Sequence, residues 1–231
     1  MRCTNCLFEA PCFSCRIDVN DARQLEALKF SQRKIKAGQP LFHESDYFQF
    51  LYVVRSGTFK SSVLLADGRE QVNSFCMSGD ILGLDSVACG AHASSAIALE
   101  DADVCVISYA CLTGLAAGNA SLFQMLVRMM SREILREHRL TILLGSMNAE
   151  KRLAAFLLNL SSRLKMRGYS AVEFHLRMSR AEIGSYLGIT LETVSRNFSA
   201  FQQAHLLKVD KRHIRLLDID GLTRVLNTSL D

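Results

Sequence analysis

The sequence predicts an α+β fold in which a β-roll is followed by a long helix and then by a winged helix-turn-helix. Three observations predict it. From Gln32 to about Ser108, short β-rich segments alternate with glycine turns. From Ser121 to Ser146 there is no proline and no glycine before Gly145, and apolar residues recur at helical spacing. From Ser179 onward a capping-box pattern, a glycine turn and a closing hairpin follow one another.

The first segment is punctuated by Lys36-Ala37-Gly38, Arg55-Ser56-Gly57, Asp67-Gly68, Ser78-Gly79-Asp80 and Cys89-Gly90. Stretches such as Leu51-Tyr52-Val53-Val54 and Val104-Cys105-Val106-Ile107 lie between these turns, as expected of an antiparallel barrel or jelly roll. The long helix carries Leu122, Leu126, Met130, Ile134, Leu140, Leu143 and Leu144 on its apolar side. A helix of that length cannot be covered by a small barrel alone, so part of its stripe is expected to face a second copy of the chain. Met130, Ile134, Leu140 and Leu144 form that expected seam, and Glu137 falls within it. A second helix runs from Ala149 to Arg167, Gly168 turns the chain, and a short strand is expected around Phe174-His175-Leu176. After two more helices, Leu206 to Val209 and Ile214 to Leu217 flank the polar turn Asp210-Lys211-Arg212 and read as a hairpin, the wing.

A chain of 231 residues is long enough for two modest domains with separate cores. With 49% apolar and 22% charged residues, the composition is that of a globular protein and argues against disorder. No apolar run reaches transmembrane length, and Met1-Arg2-Cys3 does not open a signal peptide, so the expected setting is the cytoplasm with no membrane contact. No nucleophile and base pair, paired carboxylates or phosphate loop can be picked out. The six histidines (His43, His92, His138, His175, His205, His213) are scattered, and an enzyme is not expected. Positive charge is concentrated late in the chain: residues 150–231 hold 13 Lys+Arg against 8 Asp+Glu, an excess that suits a polyanionic partner.

Ser179-Arg180-Ala181-Glu182 should start a helix through Ile183, Gly184 and Leu187. Gly188 then supplies the turn, and Thr190 caps a second helix from Leu191 to Gln203. In such a unit the start of the second helix enters the major groove of DNA, where Glu192, Ser195 and Arg196 share the exposed face. Arginine can donate two hydrogen bonds to guanine, and glutamate can accept one from a cytosine amine. Asn197 stands where the pattern usually has an apolar residue, and Phe198 beside it offsets that departure. The same residues also fit an ordinary helical pair with a solvated charged face.

Four of the eight cysteines crowd the start of the chain as Cys3-x2-Cys6-x5-Cys12-x2-Cys15. In a reducing compartment this spacing points to soft-metal ligation or redox chemistry rather than structural disulfides. An iron-sulfur cluster, a zinc site and a thiol-disulfide switch all remain open on spacing alone. A distant cysteine could complete a ligand set, with Cys76, Cys89, Cys105 and Cys111 as candidates.

Taken together, these blocks resemble the Fnr class of the cyclic-AMP receptor protein (Crp/Fnr) family, oxygen-responsive transcription regulators for fumarate and nitrate reduction. The resemblance runs from Cys3 to about Leu226. It is carried by the N-terminal cysteines, Leu51-Tyr52 with Arg55-Ser56-Gly57, Gly79-Asp80-x2-Gly83, Ala98-Leu99-Glu100 through Val104-Cys105, Asn148-Ala149-Glu150-x-Arg152-Leu153-Ala154-Ala155-Phe156, and Glu192-Thr193-Val194-Ser195-Arg196.

It implies a cysteine-rich cluster-binding segment (1–18), a cyclic-nucleotide-binding-type β-roll (19–120), a dimerisation helix (121–147) and a winged helix-turn-helix DNA-binding domain (148–231). It implies that Cys3, Cys6, Cys12 and Cys105 ligate a 4Fe-4S cluster, convertible to 2Fe-2S on oxidation, with Cys15 as a spare. The DNA-facing set it implies is Ser179, Arg180, Thr190, Glu192, Thr193, Ser195 and Arg196, reading TTGAT-type inverted repeats in double-stranded DNA as a homodimer. RNA polymerase is the further partner implied, with the turn region Asp80 to His92 resembling one contact surface. Relatives that bind cyclic AMP carry a Glu after Gly-x-x-Gly and an Arg-Ser pair for the phosphate; this chain has Leu84, Ser94 and Ser95, so no cyclic nucleotide is expected. In a helix pair, the Glu137 carboxylates of two copies would approach and oppose association unless screened.

Overall fold

The computed structural model describes residues 31–227. They form two compact units that divide between Leu135 and Arg136, inside the longest helix.

In the first unit, strands β1 (Ser31–Ile35), β2 (Pro40–Phe42), β3 (Phe50–Ser56), β4 (Thr58–Leu64), β5 (Glu70–Met77), β6 (Ile81–Leu82), β7 (Ser95–Ala98) and β8 (Ala102–Ser108) form two antiparallel four-stranded sheets. Their orders are β1-β8-β3-β6 and β2-β7-β4-β5, the expected β-roll. Gly57 makes the turn from β3 to β4 at a φ of 86°, and a Cβ there would lie 2.6 Å from that of Ala102, so the position excludes any side chain.

Successive strand residues point to opposite faces, and β3 and β8 use both. Tyr52, Val54, Ala102 and Val104 join Phe42 and Phe59 in one core. Leu51, Val53, Cys105 and Ile107 join a second core on the other side. That second core is closed by Leu112 and Ala116 of helix α1 (Tyr109–Ala117) and by Leu122 and Met125 of helix α2 (Ala120–Ser146). Helix α1 lies in a stretch read from sequence as part of the roll. Its signal was Ser108, whose hydroxyl accepts from the Cys111 N–H at 3.4 Å; Asn119 starts α2 in the same way, accepting from the Leu122 N–H at 3.0 Å.

Beyond Met125, α2 presents an uncovered apolar stripe. Met130 and Ile134 are exposed, the latter 55%, as are Val127, Leu135 and Ile142. Glu137 is also exposed, while Leu140 and Leu144 are half-buried. No helix among the described residues is long and apolar enough to cross a membrane.

The second unit contains α3 (Ala149–Met166), β9 (Glu173–His175), α4 (Arg180–Leu187), α5 (Leu191–Gln203), β10 (Leu207–Asp210), β11 (His213–Leu216) and α6 (Ile219–Asn227). The hairpin β10–β11 recruits β9 to make a three-stranded sheet in the order β10-β11-β9. Its core is formed by Leu153, Leu157, Ile183, Leu187, Val194, Phe201, Ile214 and Leu222, all buried. Helix α6 was not read from the sequence. Asp218 marks its start by accepting from the Gly221 N–H at 2.7 Å.

Candidate nucleic-acid interface and sensor thiol

Helices α4 and α5 meet across a tight turn. The capping box at Ser179 is complete: the Ser179 hydroxyl accepts from the Glu182 N–H at 3.2 Å, and the Glu182 carboxylate accepts from the Ser179 N–H at 2.7 Å. Ser179 therefore serves the helix start as well as lying on the expected DNA side. Gly184 faces the following turn so closely that a Cβ would stand 2.6 Å from the Ile189 carbonyl oxygen.

Thr190 caps α5 by accepting from the Thr193 N–H at 3.2 Å, and the two threonine hydroxyls are 3.0 Å apart. This cap fixes the residues that follow. Glu192 and Arg196 are exposed, and Thr193 and Ser195 are half-buried beside them. The backbone N–H of Glu192 itself, and then the Thr190 hydroxyl, hold the Glu192 carboxyl below its ordinary range, so it is ionised and an acceptor at neutral pH. Arg196 reaches the Thr193 hydroxyl at 3.4 Å. The helix start thus offers one anionic acceptor and one cationic donor side by side, the pair needed to read base edges.

Arg180 lies with its guanidinium 4.9 Å from the centre of the Phe198 ring. Together with Ser199, Gln202 and Lys211 they line an open cleft of about 370 Å³ between α5 and the wing. Gln202 closes the base of this arrangement by accepting from the Val209 N–H at 3.1 Å. Lys211 was not singled out from sequence, although its place in a polar turn between two strands was the available signal. Phe198 is buried and takes the core position beside the half-buried Asn197, whose side-chain nitrogen is itself buried and finds no hydrogen-bond partner.

Arg152 was noticed only as part of a block, and its role is structural. Its guanidinium donates to the carbonyls of Leu144 at 2.7 Å, Met147 at 2.8 Å and Leu187 at 3.0 Å. It therefore closes the last turns of α2 and of α4 at once, satisfying carbonyls that helix ends leave unpaired.

Of the cysteines, Cys3, Cys6, Cys12 and Cys15 lie outside the described residues. Cys89 and Cys111 are exposed, and Cys76 is buried in the roll, its sulfur 3.1 Å from the Ser74 hydroxyl. Cys105 is 8% exposed and sits in the second core with Leu122 and Met125 of α2. Among the described residues no group of three or more His, Cys, Asp or Glu could hold a metal ion. In the segment Asp80 to His92, Asp85, Ala88, Cys89 and Gly90 are exposed, while Leu82, Ser86 and His92 are buried. Ser94 donates to Asp85 at 2.8 Å, and Ser95 accepts from the Glu44 N–H at 2.9 Å, so both serines expected in place of the Arg-Ser pair are bonded within the protein.

Residues 32–119 match the cyclic nucleotide-binding domain family and residues 151–225 the Crp-like helix-turn-helix domain family. The chain is 41% identical to the transcriptional regulatory protein btr of Bordetella pertussis, over 97% of this chain and 93% of that one. It is 38% identical to the fumarate and nitrate reduction regulatory protein of Escherichia coli, over 97% of this chain and 90% of that one. Among solved structures, that of FixK2 from Bradyrhizobium japonicum superposes with a TM-score of 0.80 at 31% identity, covering 88% of this chain and 100% of FixK2. With a β-roll, a long helix and a winged helix-turn-helix in the order these relatives share over nearly their whole length, the chain belongs to the Crp/Fnr family of transcription regulators.

Proposed function

We propose that the protein is an oxygen-responsive regulator of anaerobic gene expression, working in the cytoplasm as a homodimer that binds TTGAT-type inverted repeats and contacts RNA polymerase. The observation that carries this reading is the position of Cys105. The one cysteine of β8 shares a core with the first turns of α2, so a change in what its sulfur is bonded to is felt at Leu122 and Met125. A relative named the anaerobic regulatory protein, from Haemophilus influenzae, is 38% identical over 99% of this chain. In this reading Cys3, Cys6, Cys12 and Cys105 hold a 4Fe-4S cluster. The cluster would supply an iron-sulfur core that oxygen can oxidise.

The rest follows from the chain's own residues. The stripe Met130, Ile134, Leu140 and Leu144 is where a second α2 packs, and the exposed Glu137 makes that association conditional by setting like charges close together. Arg180 and Lys211 hold phosphate, and Glu192, Ser195 and Arg196 read bases. The aromatic cluster Phe42, Tyr52 and His92 fills the roll, and Ser94 offers no cation to a cyclic phosphate, so no cyclic nucleotide binds.

The test is to purify the protein without oxygen and measure iron, sulfide and zinc with the visible spectrum before and after admitting air. About four irons and four sulfides per chain, with a chromophore bleached by air and absent from Cys105→Ser, is the expected result. Zinc without a chromophore would replace this reading by that of a zinc-stabilised or thiol-switched regulator. Glu137→Ala is expected to give a dimer that persists in air; a variant as monomeric as the air-exposed parent would remove Glu137 from the account.

A further inference from the structure

His92 lies in the connection between β6 and β7, a segment that would ordinarily be open to water, yet it is 4% exposed. Its ring stacks on Phe42 at 3.7 Å between centres and meets the edge of Phe48 at 5.6 Å, with Tyr52 at 6.4 Å. Its Nδ1 stands 2.7 Å from the hydroxyl of Ser86, which is itself fully buried. That hydroxyl is 3.3 Å from Oδ1 of Asp85. Oδ2 of Asp85 accepts from Ser94 at 2.8 Å, and Ser94 accepts from Ser61 at 2.8 Å. A hydrogen-bonded chain therefore runs from an exposed carboxylate, through Ser86, to an enclosed imidazole.

The same residue fastens the backbone. The His92 N–H donates to the Asp46 carbonyl at 2.8 Å, its carbonyl accepts from the Ser45 N–H at 2.7 Å, and the Phe48 N–H donates to Gly90 at 3.0 Å. Residues 90–92 are thereby clipped to residues 45–48. Just ahead of the clips, a short 3₁₀ turn, Leu84–Val87, puts its polar side (Asp85, Ser86) on the hydrogen-bonded chain. Its apolar side (Leu84, Val87) packs against the core that contains Cys105, Leu122 and Met125.

We propose that His92 is a proton-operated latch: its neutral ring holds the Leu84–Val87 turn onto the core beneath α2, and its protonation releases the turn and loosens that core. A neutral imidazole fits an aromatic cage with one hydroxyl partner, whereas an imidazolium there loses water it cannot replace. The titratable groups that face the ring are Asp85 on the turn, Asp46 from residues 43–48 and Tyr52 from β3. Burial, the largest influence, pushes the His92 pKa down from its ordinary 6.5, against the pull of Asp85 and then Asp46 in the other direction. Because the folded pKa is the lower one, the opened segment binds the extra proton first. The latch is therefore fully closed above 6.5 and weakens as pH falls below it. None of these titrating groups is a proposed cluster ligand, so the His92 midpoint and the opening of 83–92 test the latch whether or not a cluster is bound.

The deciding measurements use the unsubstituted full chain. The imidazole carbon resonance of His92, followed by NMR, should titrate with a midpoint below 6.5, and hydrogen exchange corrected for its intrinsic pH dependence should report opening. Between about pH 7.5 and about pH 5.5, opening of residues 83–92 and 119–126 should rise by up to about tenfold per pH unit, the limit for one proton, while the β3–β8 pairing stays protected. His92→Asn, whose amide can still hydrogen-bond Ser86 near the Nδ1 position but does not titrate, should open equally at both ends of that range. A His92 midpoint at or above 6.5, opening of 83–92 that does not change with pH, or an unchanged pH response in His92→Asn would each overturn the latch.

Discussion

Replacing Arg152 by methionine keeps the length of the side chain and removes every donor. The three carbonyls it now serves, on Leu144, Met147 and Leu187, are at the ends of helices and have no other helical partner. A hydrogen bond from a charged donor contributes about 1.5–3 kcal/mol, and three would give the upper bound. The side chain is half-buried, so water can reach some of the freed carbonyls, and the realistic loss is about 2–4 kcal/mol. For a unit of this size that corresponds to a fall in Tm of about 8 °C or more. Thermal and urea unfolding of the full chain, followed by a probe in the DNA-binding unit, measures it. Arg152→Lys, whose single ammonium cannot reach three diverging carbonyls, should lie between parent and Arg152→Met. A loss below about 1 kcal/mol for Arg152→Met, or a lysine variant as stable as the parent, would show that these contacts do not hold the helix ends together.

Two further outcomes are expected. Gly57→Ala combines a left-handed backbone with a Cβ 2.6 Å from that of Ala102, and should destabilise the β-roll by about 2–4 kcal/mol, read as a lower urea midpoint with unchanged slope. Glu192→Ala removes an ionised acceptor from the reading face; in binding assays against single-base variants of the site, it should relax preference at one position by about 1–3 kcal/mol while leaving binding to unrelated DNA unchanged.

The parts of the fold that repeat a local rule were legible in the sequence. The glycine turns gave the strands of the roll, the uninterrupted stretch gave α2 within a residue at each end, and Ser179, Gly188 and Thr190 gave the helix-turn-helix. What was missed depends on side chains that act at a distance. Arg152 looked like one more charge at the start of a helix, because nothing in its neighbours says that it reaches Leu187 across the unit. His92 was counted among scattered histidines, since its partners Phe42, Phe48 and Ser86 come from three separate segments. Helix α1 was hidden because Gly114 and a run of small residues weaken its pattern, leaving only the Ser108 cap to announce it.

The two-faced character of β8 has a consequence for how the protein can change. Because Ala102 and Val104 belong to one core and Cys105 and Ile107 to the other, substitutions at alternate positions act on separate halves of the unit. Inserting or deleting one residue before Cys105 would do something no substitution can. It would turn the sulfur inward among the aromatic residues of the roll and set a valine beneath α2 in its place. Along this strand, length is as strictly fixed as identity, and homologues that keep the thiol but shift it by one position are expected to have lost the link between it and the long helix.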